Sequence, residues 1–203
     1  TQAMRAIADH SDKTYTLLYT KHTALKIGMF ALERMVQVME MTQAGMVYAD
    51  HYQQIDGVQK TAPVIDYQPG SLRDDFNFGS VLLFNANAFK EVIENTEEEY
   101  QYAGLYDLRL KISQKSKLVH INEYLYTEVE SDKRKSGEKQ FDYVDPKNRQ
   151  VQIEMEQACT NHLKEIGGYL YPIFRPVDFS SHTFEYEASV IIPVRNRIRT
   201  VKD

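Results

Sequence analysis

The feature that most restricts this fold is an alternation of β-rich and helix-period segments running to about residue 130. TYTLLYT (14–20) has a strand's composition. MFALERMVQVMEMT (29–42) then places Phe30, Met35, Val36 and Met39 near helical spacing, with Glu33, Arg34 and Glu40 on the wet side. AGMVYADHY (44–52) reads as a strand, Ile55-Asp56-Gly57 as a turn, and residues 61–67 as an extended segment. SVLLFN (80–85) is a further strand, followed by a helix over 86–95. LYDLRLKISQ (105–114) puts Leu105, Leu108 and Ile112 on one helical face and leaves Tyr106 and Lys111 outside it. KLVHINEYLYTEVE (117–130) supplies one or two strands. Strands interleaved with helices predict an α/β protein with a mixed sheet flanked by helices.

Beyond residue 130 the pattern changes. KNRQVQIEMEQACTNHLKEIG (147–167) predicts a helix of about five turns, stopped by Gly167-Gly168. YLYPIFRPVDFSS (169–181), with two prolines, reads as a linker. In the tail EASVIIPVRNRIRTVKD (187–203), Val190, Ile191 and Ile192 are closed by Pro193, which lacks the N–H needed to continue a buried strand. Arg195-Asn196-Arg197 is then a polar turn before a helix start, and the three together make the first half of a βαβ unit.

Composition removes several classes of partner. A net charge of −5 argues against a nucleic-acid backbone as ligand. The local basic patch Lys133, Arg134 and Lys135, leading into KSGEKQ, is flanked by Glu128, Glu130, Asp132 and Glu138, which suits a solvated loop. A hydrophobic share of 42% is that of a globular chain. One cysteine excludes an internal disulfide framework and fits a reducing compartment. No apolar run approaches the roughly 18–20 residues of a membrane-spanning helix, and no Cys/His cluster has metal-ligand spacing.

The tail resembles the first strand and turn of family 2 glycosyltransferases, whose GT-A fold begins with a strand ending Ile-Pro-x-x-Asn, here Ile192-Pro193-Val194-Arg195-Asn196. MVYADHYQQIDG (46–57) resembles the tyrosine-aspartate strand of that family and the turn after it. PVIDYQPGSLRDDFNFGSVLLF (63–84) resembles the segment bordering its donor and acceptor pocket. YDLRLKIS and KLVHINEYLYTEV resemble the helix and closing strand near its catalytic base. The resemblance implies a GT-A-like, Rossmann-like sheet incomplete at its N-terminus over 1–130, a loop, helix and linker over 131–186, and the start of a second such domain over 187–203. It also implies a nucleotide-sugar donor, with Asn196 in the turn beside its base, a carbohydrate acceptor, and a cytoplasmic setting, at most peripheral to the inner face of a membrane. A divalent cation, Mg or Mn, would serve the full-length enzyme, because hard cations bridge diphosphate oxygens.

Two departures follow from that alignment. The strand expected to end in Asp-x-Asp ends instead in Tyr19-Thr20-Lys21-His22, so no metal ligand is assigned, and Lys21 is left as a point charge for phosphate. Aligning Tyr106-Asp107-Leu108 on the family's aromatic-Asp-Leu puts Gly104 and Leu105 where its Glu-Asp base pair belongs, and neither accepts a proton. The carboxylates left as catalytic candidates are Asp50, at a strand end where α/β folds place ligand contacts, and Asp107. Arg73, Asp74, Asp75 and Gly79, in a loop that also holds Phe76 and Phe78, are candidates for sugar binding. Asp50 as a turn cap, and Asp74 and Asp75 as surface ion pairs of Arg73, are the structural alternatives. The chain is therefore expected to be either a transferase with a degenerate first domain or a scaffold that holds an acceptor for a catalytic domain beginning near Glu187.

Overall fold

The computed structural model describes residues 1–129, 149–176, 178 and 180. The helices are α1 (Gln2–His10), α2 (Ala31–Thr42), α3 (Ala86–Glu94), α4 (Gly104–Lys115) and α5 (Arg149–Glu165); the strands are β1 (Tyr15–Tyr19), β2 (Leu25–Ile27), β3 (Met46–Ile55), β4 (Val58–Ala62), β5 (Val81–Asn85) and β6 (Leu118–Val129). They form one mixed sheet in the order β1-β5-β3-β6-β2. Central β3 runs parallel to β6 and antiparallel to β5, and β4 pairs with its second half through the Asp56-Gly57 turn.

Strand alternation sorts β3 onto two cores. Met46 and Tyr48 join Leu82 and Phe84 under Ala8 of α1, Phe89, Val92 and Ile93 of α3, and Leu108 and Ile112 of α4. Val47 and Ala49 join Val81, Leu83, Ile121 and Tyr126 under Ala31, Met35 and Met39 of α2. The sheet is thus apolar on both faces and covered on both, as parallel pairing requires. A third cluster, Tyr100, Ala103, Tyr106, Leu110 and Ala158, seats α5 on α4.

Helix boundaries have local causes. Asn85 caps α3 by accepting from the N–H groups of Asn87 and Ala88 at 3.0 and 3.1 Å, a contact worth about 1 kcal/mol. The Glu154 carboxylate of α5 caps α4 by accepting from Tyr102 and Ala103 N–H at 2.7 and 3.2 Å. At the end of α5, Gly167 has φ +71°, and Gly168 and Gly167 donate back to Leu163 and Lys164, the two bonds of a Schellman stop.

One sequence expectation changes. Phe30 does not share the buried stripe of α2: it stands before the helix with φ 58° and is exposed, while Met35 and Met39 are buried. Tyr106 stays off the Leu105, Leu108 and Ile112 face, which packs on the sheet, and is buried instead on the side of α4 that meets α5. Of the 61–67 segment, residues 61–62 close the β4 ladder and residues 63–67 are held by side chains of β3, Tyr48 Oη donating to Ile65 O at 2.8 Å and accepting from Tyr67 N at 2.7 Å. The last strand is single and irregular, with register breaks opposite Ala49, Asp50 and His51.

Residues Thr1–Tyr169 form one unit and Leu170–Asp203 a second. The described residues of the second carry no helix or strand. The strand and turn expected over 187–203, with Asn196, and the loop around Lys133 lie outside the described residues.

Candidate functional site

Past its midpoint, β3 carries buried polar side chains on both faces of the sheet. On one face the buried Asp50 accepts from Val64 N at 2.8 Å and lies 2.9 Å from His120 Nε2, while His120 Nδ1 lies 2.7 Å from the exposed Asp66 carboxylate. His120 also stacks on Tyr48, ring centres 5.2 Å apart. Asp50 thereby fastens the 63–67 segment to the sheet, a tertiary contact and not the turn cap offered as its structural alternative.

On the opposite face His51 and Glu128 are buried side by side, His51 Nε2 3.5 Å from Glu128 Oε1, and Lys21 Nζ sits 2.5 Å from the other carboxylate oxygen. Burial pushes the Glu128 carboxyl up, but Lys21 and His51 outweigh that and hold it below the usual glutamate value. Burial pulls the His51 imidazole down, with Glu128 opposing. Tyr126 stacks on His51 at 5.0 Å and its hydroxyl accepts from Ser80 N at 2.9 Å. Among the described residues His51 Nδ1 is buried without a hydrogen bond, a cost a protein carries rarely. Gly79 closes this cluster: with φ +72°, a Cβ there would fall 2.1 Å from Tyr126 Oη and 3.4 Å from His51 Nδ1.

Gly79 also ends the 71–79 loop, which walls a cavity of about 510 Å³. Asp74, Asp75, Phe76 and Phe78 line it from the loop, Tyr102, Tyr106 and Arg109 from the region of α4, and Met155 from α5. The structure therefore gathers Asp74, Asp75 and Gly79 at one cavity. Arg73 holds Asp75 in a two-bond fork at 2.9 Å and lowers its carboxyl, as the ion-pair alternative expects. Arg109 anchors the loop from below: buried, it donates to Ser71 O at 3.1 Å and Arg73 O at 2.9 Å, while Tyr106 donates to Leu72 O.

Asp107 does not line this cavity. It is buried in the first turn of α4, 2.9 Å from Lys111 Nζ, which also bonds Glu98 at 2.9 Å. Burial holds the Asp107 carboxyl above its usual value despite Lys111, whereas the more exposed Glu98 is lowered by the same ammonium. Asp50 lies on the sheet apart from the lining residues as well.

Among the described residues a divalent cation finds no fitting donor set. Lys21, at the strand end where the resemblance puts a metal pair, is ion-paired to Glu128, and no group of three His, Cys, Asp or Glu among the described residues is arranged to hold a metal. Sequence reading missed Arg109, because a helix buried on every side has no polar face to mark it. It missed His51 and Glu128, although strand alternation with Val47 and Ala49, and with Tyr126, gives their face. No helix among the described residues is long and apolar enough to cross a membrane. No protein-family model matches the chain, and no curated protein matches it.

Proposed function

We propose that the chain belongs to a nucleotide-sugar-dependent glycosyltransferase that transfers a sugar to a polysaccharide or glycoconjugate acceptor, with the mixed sheet as a GT-A-like framework. The observation that carries this proposal is the lining of the 71–79 cavity, where carboxylates and aromatic rings meet in the pairing that carbohydrate hydroxyls and ring C–H faces require. The resemblance of the surrounding segments supplies the reaction class.

One observation favours a narrower role for the Thr1–Tyr169 unit. Both candidate general bases are engaged, Asp50 by Val64 N–H and His120, and Asp107 by Lys111. A base must be free to meet the hydroxyl it deprotonates. In this second reading the unit holds the carbohydrate acceptor, and the chemical step belongs to a catalytic domain beginning near Glu187.

The test is transfer of radiolabelled sugar by the full-length protein from uridine, guanosine and thymidine diphosphate sugars to extracted cell-surface glycans. Incorporation from one donor is expected. Absence of incorporation from every donor would remove the transferase reading.

A further inference from the structure

Arg109 is 4% exposed, yet no carboxylate reaches it among the described residues. Its hydrogen bonds go to two backbone carbonyls and to the Tyr67 side chain, all of them neutral. The ring faces of Tyr106, Phe78 and Tyr67, at 4.8, 5.4 and 5.8 Å, soften the loss of water but cancel no charge. A buried cation lacking an ion pair is costly, and this one borders an aromatic-lined cavity of a size usual for small-molecule ligands.

The acids nearby do not fill the role. Asp75 is matched by Arg73 in its two-bond fork, and both are exposed. Asp74 makes no hydrogen bond or ion pair among the described residues, but it stands exposed at the rim, where solvent screens its pull on the guanidinium. The cavity thus has a cationic, desolvated floor, aromatic walls and an acidic mouth.

We propose that this cavity binds a pyranose carrying one anionic group, a carboxylate or a phosphate, with the anion on the Arg109 guanidinium, ring faces against Phe76 and Tyr102, and hydroxyls toward Asp74. This deepens the carbohydrate reading above and rests on it for the sugar ring. The planar guanidinium fork suits either oxyanion, which is why charge alone does not separate the two.

Calorimetry on the 203-residue chain with D-glucuronate, glucose 6-phosphate, D-glucose and inorganic phosphate tests it. At least one charged sugar should bind about tenfold more tightly than both glucose and inorganic phosphate; the one that does identifies the anion. If glucose equals both charged sugars, if inorganic phosphate matches them, or if nothing binds, the proposal is wrong. Arg109→Gln should abolish the preference while a melting curve shows the chain folded. Should that variant not fold, Asp74→Asn decides: removing the rim charge should move the ratio of charged-sugar to glucose affinity about threefold toward the charged sugar, whatever it does to both through the hydroxyls, and an unchanged ratio would overturn the assignment. Transfer activity reports separately. Transfer without charged-sugar binding removes only this inference, and charged-sugar binding without transfer removes only the transferase reading.

Discussion

Asp107 and Asp74 carry the same carboxylate thirty-odd residues apart, and their surroundings make them different kinds of group. Asp107 is buried against Lys111, fixed by an ion pair within its own helix. Asp74 sits exposed at a cavity mouth with no hydrogen bond or ion pair among the described residues. A buried carboxylate must bring its partners with it, and once matched it is spent on holding the chain together; an exposed one at a rim remains open to a ligand. Asp50 falls with Asp107, matched by Val64 N–H and His120.

The contrast should be visible first in stability. Lys111→Met strands Asp107 beside Glu98, and urea melts at pH 7 should show a loss of about 3 kcal/mol, the usual result of breaking a buried pair. The Asp107 carboxyl is raised in the folded protein, so its ionised form opposes folding above that raised value, and protonation relieves the penalty as pH falls through it. The deficit should therefore shrink as pH falls from 7 toward the ordinary aspartate value of 3.8; an equal deficit throughout would place the strain elsewhere.

Asp50→Ala should cost about 2 kcal/mol, because it leaves Val64 N–H and His120 without their acceptor. A loss below about 0.5 kcal/mol, the range of ordinary surface changes, would put Asp50 with Asp74 instead.

An intermediate case is Glu128, held below the usual value with Lys21 half in solvent. A lowered carboxyl stabilises the fold above the ordinary glutamate value of 4.5 and loses that contribution as pH falls through the folded value. Lys21→Met should weaken the protein by about 1 kcal/mol at pH 7, discounted for the exposure of Lys21, and flatten its acid melting limb below pH 4.5. An unchanged limb would mean that Lys21 does not set the Glu128 charge.

The smallest stability effects belong to the loop. Asp74→Asn and Asp75→Asn should each shift the melt by less than about 0.5 kcal/mol, while changing carbohydrate affinity measured on the same samples. Larger losses would make the loop acids structural.

How much of this was legible depended on burial. The alternation of TYTLLYT, MVYADHY and SVLLFN with amphipathic helices held up as a mixed sheet because those elements bury one recognisable set of residues each. In α4 the Leu105, Leu108 and Ile112 face packs on the sheet as read, but Tyr106, Arg109 and Leu110 are enclosed as well, so the polar side that such a period implies is missing. The loop acids were recognisable beside Phe76 and Phe78 because both residue types occur in one short stretch. Arg109 was not, since its partners Ser71 and Arg73 approach through backbone carbonyls, which any residue type supplies. Asp50 could be placed at a strand but not assigned a role, because His120, its partner, lies 70 positions away.

The division between spent and available carboxylates is tested most directly by turnover. Full-length protein carrying Asp50→Asn or Asp107→Asn, each shown folded by its melting curve, should transfer radiolabelled sugar at saturating donor within about twofold of the unaltered protein. Loss of a general base costs on the order of 10²- to 10⁴-fold, so a well-folded variant of either residue with turnover down a hundredfold would show that the buried carboxylate is the catalytic one and that the Thr1–Tyr169 unit performs the chemistry itself.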